Sequence, residues 1–134
     1  MDQNSLVDVP KDLVDAGCRF LGEFAKSYPI AIAFWRKDRH EHDWSLHVAS
    51  PKITVENMRD AYGEVHRLAQ GMKDVHFDPF LLRLERMDDP YVQFAMEYTR
   101  PLPAQIATVF HVPTFRGLDV EGMHIYPPIK TPAA

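Results

Sequence analysis

The sequence predicts an α+β fold, a two-layer sandwich in which a mostly antiparallel sheet of four or five strands carries its helices on one face. Hydrophobic residues recur at every third or fourth position in some segments and at every second position in others, in the order α-ββ-α-β-α-ββ. Strands that follow one another in pairs are typical of hairpins, which build antiparallel sheets. The 134 residues are 46% hydrophobic and 25% charged, as expected for one domain over residues 1–134, with frayed tails at 1–8 and 128–134.

The first helix is predicted over residues 9–28. Its apolar stripe repeats at three- and four-residue spacing and consists of Leu13, Gly17, Phe20, Leu21, Phe24 and Tyr28. Pro10 suits a first helical turn, because that turn needs no backbone N–H donor. Pro29 disfavours helical geometry in the preceding residue and therefore ends the helix.

A β-hairpin is predicted next, with strands over residues 30–35 and 44–49 joined by a short polar loop. Both segments alternate large apolar residues with small or polar ones, and they are rich in β-branched and aromatic types. We expect the large residues of the two strands to face the helices together. This predicted core face carries Ile30, Ile32, Phe34, Trp44, Leu46 and Val48.

A second helix is predicted over residues 54–70, and Gly71 suits its C-terminal stop. Residues 80–87 fit either a helix face or a strand, and the alternation of Leu82 and Leu84 with charged residues favours the strand. The chain therefore returns to the sheet after the second helix.

Asp89 and Pro90 are predicted to be the N-cap and the first residue of a short third helix. Residues 105–112 and 122–127 alternate again and are predicted to be the final pair of strands.

The opposite face of the sheet is predicted to be uncovered, and function is expected there. Alternation assigns to it alanines at positions 31, 33 and 49, and larger residues that are Trp35, His47, His111, His124 and Tyr126. An apolar face of this kind usually marks an interface. The leading hypothesis is therefore a protein-interaction module that forms a homodimer or binds a protein partner through this face.

Three of the seven histidines, His47, His111 and His124, support a second hypothesis. Imidazoles on neighbouring strands could hold Zn²⁺ or a similar divalent ion, or supply a general base, in a small metal-dependent or His-assisted enzyme. A solvated sheet face explains the same residues more simply, and no cofactor is predicted beyond such an ion. A third hypothesis is a small-ligand-binding module with Trp35 and Tyr126 in its pocket.

No motif for nucleotide binding or nucleophilic catalysis is present in the sequence. It contains no G-x-G-x-x-G, no P-loop and no H-E-x-x-H. None of the four serines, including Ser45, lies in a G-x-S-x-G elbow, so a nucleophilic serine is disfavoured. The His-x-His within residues 38–43 is interpreted as a solvated turn, Glu85 as part of a solvated strand end, and Cys18 as an inert thiol.

The distribution of charge and of apolar runs argues against two kinds of partner. The net charge is −4 and each half of the chain carries −2, so no basic block is present to attract nucleic acid. The longest apolar run, residues 30–35, is far shorter than the roughly 20 residues that cross a bilayer. The single cysteine and the polar N-terminus favour a cytoplasmic location.

Overall fold

The computed structural model describes residues 9–38, 43–99, 108–110 and 120–127, with the backbone alone at 98, 108–110, 120 and 121. The elements are, in order, α1 (Lys11–Phe24), β1 (Ile32–Asp38), β2 (Ser45–Ala49), α2 (Met58–Met72), a 3-10 turn (Pro79–Leu81), β3 (Leu82–Glu85), α3 (Pro90–Thr99), β4 (Thr108–Phe110) and β5 (Val120–Ile125). This order confirms the predicted α+β class and sequence of elements. The predicted tails lie outside the described residues.

The five strands form one sheet in the order β3-β2-β1-β5-β4. β1 pairs antiparallel with both β2 and β5, and β4 pairs antiparallel with β5. β2 and β3 are parallel, because α2 carries the chain back to the same end of the sheet between them. The sheet is therefore mixed, with one parallel pair among antiparallel ones.

The two long helices follow the predicted apolar stripes. α1 buries Ala16, Gly17, Phe20, Leu21 and Phe24 at helical spacing. α2 continues beyond the predicted stop at Gly71, since Lys73 takes the left-handed cap position and its N–H donates to the Ala69 carbonyl. Within the described ranges, no helix has the length and apolar character of a membrane-spanning segment.

The sheet is packed on both faces, which corrects the prediction that its helices lie on one face. The core under α1 and α2 takes from the sheet region Ala33, Trp35, Leu46, Val48, Leu82, Leu84 and Tyr126. The core under α3 takes Ile32, Phe34, Ala49, Met123 and Ile125. α3 begins at the predicted signal, where Asp89 Oδ2 accepts hydrogen bonds from the backbone N–H groups of Tyr91 and Val92.

The predicted facing of the hairpin strands is wrong by one residue. Trp35 is opposite Leu46 and Phe34 is opposite His47, so Leu46 shares a face with Trp35 and not with Phe34. A slip of one residue moves every side chain of a strand to the other face. Alternation did not identify the core face because residues 32–35 and 46–49 are all buried, as in strands covered on both sides.

Candidate functional site

Trp35, His124 and Tyr126 lie on the face that α1 covers. Trp35 and His124 are opposite each other in the β1–β5 pair, so they share that face. Trp35 is 3% exposed and Tyr126 is 7% exposed. The prediction of an open aromatic face is therefore wrong, because helix α1 fills it. The interaction-module and ligand-binding hypotheses stay predictions, and these two aromatic residues no longer offer them an accessible surface.

The polar atoms of Trp35 and Tyr126 are used inside the fold. Trp35 Nε1 donates to the Tyr126 hydroxyl at 2.8 Å, and that hydroxyl donates to the Val14 carbonyl of α1 at 2.6 Å. Burial raises the pKa of Tyr126. The arrangement ties β1, the end of β5 and α1 together, which is a structural role.

His47 lies on the other face of the sheet, under α3. Its ring stacks on that of Phe34 with the centroids 5.2 Å apart. Because Phe34 and Trp35 are consecutive residues of β1, their partners His47 and His124 point to opposite faces. His111 lies outside the described residues. Over the parts of the chain that are described, no three His, Cys, Asp or Glu side chains converge as ligands of a metal ion.

The structure joins His47 to a hydroxyl group and a carboxylate instead. Ser45 Oγ lies 2.8 Å from His47 Nε2, and Glu85 Oε2 lies 2.7 Å from His47 Nδ1. Ser45 and His47 are two positions apart on β2 and therefore share a face. The parallel β2–β3 register places Glu85 opposite Ala49, on that same face. We call Ser45, His47 and Glu85 the relay.

The proton positions in the relay follow from what each group can donate. An ionised carboxylate only accepts hydrogen bonds, so His47 Nδ1 carries the proton that Glu85 accepts. Burial lowers the pKa of His47, the nearby charge of Arg36 lowers it further, and the hydrogen bond to Glu85 opposes both. The imidazole is therefore neutral at pH 7, and its Nε2 accepts the Ser45 hydroxyl proton. The competing acceptor, the Arg36 carbonyl, is more distant at 3.4 Å.

Charged side chains surround the relay on its own face of the sheet. Arg36 is the cross-strand partner of Ser45, and its guanidinium carbon lies 3.6 Å from the centroid of the Tyr91 ring. Arg36 Nη2 donates to Asp38 Oδ2 at 3.2 Å. Asp89 also lies near, and its pKa is raised by burial and then by the charge of Glu85. Charges of both signs therefore surround the relay.

A groove of about 630 Å³ adjoins the carboxylate end of the relay. Glu85 lines it together with Asp88 and Asp89, and Val55 and Met58 supply apolar walls. Among these residues Val55 is unusual, since 67% of a large apolar side chain is exposed. Solvent therefore reaches the carboxylate end of the relay, while His47 itself is only 2% exposed.

The sequence carries a local signal for the Ser45–His47 pair and none for the contact of Glu85 with His47. A serine and a histidine two positions apart on a strand lie on one face, so Ser45 and His47 could have been paired. The missing G-x-S-x-G elbow disfavours only one class of nucleophilic serine, because the same set of groups recurs on folds that lack this motif. Glu85 reaches this pair because β3 lies parallel to β2. The residues between the two strands do not specify that pairing.

No protein-family model, no curated protein and no solved structure matches the chain.

Proposed function

We propose that this chain is a small His-assisted enzyme that transfers or hydrolyses acyl groups, with Ser45 as the nucleophile. His47 is its general base, and Glu85 orients the imidazole. This proposal keeps the His-assisted enzyme predicted from the sequence, but it assigns the chemistry to His47 alone and uses no metal ion. The observation that supports it is the continuous hydrogen-bonded chain from Ser45 Oγ through His47 to Glu85, at 2.8 and 2.7 Å.

The distances satisfy the geometric requirements for an activated hydroxyl group. A nucleophile and its base must lie within about 2.6–3.2 Å, and a third group must orient the base. The same constellation of hydroxyl, imidazole and carboxylate recurs on unrelated folds, so the absence of an elbow motif does not argue against it. Phe34 stacks on the His47 ring and restricts its rotation, which preserves the alignment of both nitrogens.

The reaction proceeds in two balanced halves. Ser45 Oγ attacks the carbonyl carbon of an ester while its proton passes to His47 Nε2. The tetrahedral intermediate then collapses, the bond to the alcohol breaks, and the alcohol leaves with the proton from Nε2. Water attacks the resulting acyl-Ser45 in the same way, which releases the carboxylic acid and restores the hydroxyl group. The Glu85 carboxylate accepts the hydrogen bond from His47 Nδ1 and stabilises the transient imidazolium.

A fluorophosphonate probe tests the nucleophile directly, because it forms a covalent bond only with an activated serine. We expect mass spectrometry to locate the adduct on Ser45, and 4-nitrophenyl acetate to give a burst of nitrophenol as the acyl-enzyme accumulates. His47→Gln should slow acylation by about 10²–10⁴-fold, the usual contribution of a general base. Ser45→Ala should abolish labelling.

The matched control is Ser27→Ala, which removes an exposed serine that contacts Glu64 at 3.3 Å and lies outside the relay. This variant should be labelled at the wild-type rate. A folded wild-type protein that is not labelled at Ser45 and shows no burst would contradict the proposal, and the relay would then be a structural hydrogen-bond chain.

A further inference from the structure

Arg36 is the cation whose charge acts on the relay. It is the direct cross-strand partner of Ser45, and opposed residues of an antiparallel pair have their Cβ atoms about 4.5–5.5 Å apart. After burial, the positive charge of Arg36 also lowers the pKa of His47. Arg83 also shares this face, but its Nη1 donates to the carbonyls of Phe80 and Leu82 at the sheet edge.

The Arg36 guanidinium is held in place from two sides. Tyr91 of α3 lies under its plane at 3.6 Å, in the geometry of a cation–π contact. Asp38 contacts it through Nη2 at 3.2 Å and through Nε at 3.0 Å. The side chain is only 15% exposed. A charge fixed in this way needs little reorganisation when a new charge develops beside it.

The guanidinium also retains donor capacity. An arginine has five N–H groups, and among the described residues Asp38 accepts a hydrogen bond from Nη2 alone. The Nε atom is buried, and its contact with Asp38 lacks the geometry of a hydrogen bond, so neither Nε nor Asp38 Oδ1 has a hydrogen-bond partner in the described part of the chain. A buried donor without a well-aligned acceptor calls for an explanation, and a catalytic role is one of those that the physics allows.

We propose that Arg36 is a further catalytic residue, which stabilises the oxyanion of the tetrahedral intermediate formed on Ser45. This inference rests on the proposed function. The substrate class is a carboxylic ester whose carbonyl oxygen points toward β1 when Ser45 attacks. Three carboxylates, those of Asp38, Glu85 and Asp89, outnumber the two arginines of this face, Arg36 and Arg83. The acyl chain that fits is therefore neutral or cationic, and Arg36 stabilises the transient oxyanion and not a permanent anion of the substrate.

Arg36→Met and Arg36→Lys test this role with 4-nitrophenyl acetate. Arg36→Met should lower kcat by about 10²–10³-fold with KM changed less than threefold, the loss that follows removal of one oxyanion-stabilising group. Arg36→Lys keeps the charge and should retain an intermediate rate. Arg83→Met is the matched control, since it removes an arginine from the same face, and it should keep the wild-type kcat.

The pH profile tests whether the charge of Arg36 acts at His47, and the change of kcat tests its action on the oxyanion. The charged groups on the face of His47 are Arg36 of β1, Arg83 and Glu85 of β3, and Asp89 before α3. Removing the positive Arg36 makes the imidazolium less unfavourable, so the acidic limb of kcat/KM should move to higher pH in Arg36→Met. A merely structural change would lower the rate without this shift.

The outcomes distinguish the two proposals. If Ser45 is labelled and turns over while Arg36→Met keeps the wild-type kcat, with or without a shifted pH profile, the oxyanion role of Arg36 is wrong and the proposed function stands. If wild-type Ser45 is neither labelled nor acylated, both fail. If Arg36→Met does not fold because Asp38 loses its partner, the double variant Arg36→Met/Asp38→Asn removes both charges and should show the same loss of kcat.

Discussion

Gly17 of α1 lies directly against the hydroxyl group of Tyr126. A Cβ atom at position 17 would collide with that oxygen and would also lie 3.3 Å from the indole of Trp35. The Tyr126 hydroxyl cannot move aside, because Trp35 Nε1 and the Val14 carbonyl hold it at 2.8 and 2.6 Å. The absence of a side chain at Gly17 therefore sets how closely α1 approaches the sheet.

Gly17→Ala should destabilise the protein. Inserting a methyl group into a packed contact forces a backbone or side-chain shift, so we expect the free energy of unfolding to fall by about 1–3 kcal/mol. Gly22→Ala is the control in the same helix, since no atom lies within 4 Å of its added Cβ. That variant should gain about 0.5–1 kcal/mol from helix propensity. Urea denaturation measures both, and equal shifts of the same sign would contradict the close approach.

Tyr126→Phe should also lower the free energy of unfolding. It leaves the indole N–H of Trp35, in a residue only 3% exposed, without its acceptor. An unsatisfied buried donor costs about 1–3 kcal/mol. In the double variant with Trp35→Phe, the loss from the tyrosine change should be smaller, because the orphaned donor is gone. Additive losses in urea denaturation would show that the two polar groups act independently.

Most of the fold could be predicted because its signals are local. Pro10 immediately precedes the first helix, and Asp89 and Pro90 begin the third as an N-cap and first residue. The first helix ends at Phe24, before the stop that Pro29 predicts. The prediction failed at the hairpin register, because burial on both faces removes the contrast between large and small residues. As a result, Trp35 is part of the core, although alternation predicts that it lies on the uncovered face of the sheet.

The candidate site depends on contacts that sequence spacing does not specify. Alternation singles out His47 as a candidate site residue, but its partners are Ser45 and Glu85 and not the other two histidines. Glu85 reaches it only because β3 pairs parallel with β2, and the strand order of a mixed sheet is decided by the packing of α2. Arg36 falls opposite Ser45 through the same register that the sequence left open.

Stability should fall as pH is lowered below about 6.5, because burial lowers the pKa of His47 in the folded state. The unfolded chain takes up a proton near pH 6.5, whereas the folded protein does so only at lower pH. The contribution of neutral His47 to the free energy of unfolding is therefore complete above pH 6.5. It is lost as pH falls through the pKa of His47 in the folded state, at up to about 1.4 kcal/mol per pH unit. Asp89, whose pKa is raised, acts with the opposite sign in a more acidic range.

Urea denaturation between pH 7.5 and 5.5 measures this dependence, and His47→Gln should flatten it. An NMR titration of the His47 ring protons supplies a second measurement that does not require the variant to fold. The ring should remain neutral at pH values where a free histidine is half protonated. A midpoint at or above 6.5 would contradict the desolvation of the site.

Tyr62 of α2 protects the outer edge of β3. Its hydroxyl accepts the backbone N–H of Leu84 at 2.9 Å, a group that β2 does not pair. Arg83 covers the Leu82 carbonyl on the same strand at 3.2 Å. Exposed edge strands present unpaired backbone groups to other chains, and covering them prevents association between edges.

Tyr62→Phe should therefore change both stability and association. Loss of the hydrogen bond should cost about 1 kcal/mol in urea denaturation. The uncovered Leu84 N–H should increase the fraction of dimer in sedimentation velocity runs at high micromolar concentration. Tyr28→Phe is the matched control, because it removes a hydroxyl group from the segment after α1, where the Tyr28 ring stacks on Phe24, and it should leave the sedimentation profile unchanged. If Tyr62→Phe sediments as the wild type does, edge protection by this hydroxyl is wrong, and its role is confined to anchoring β3 against α2.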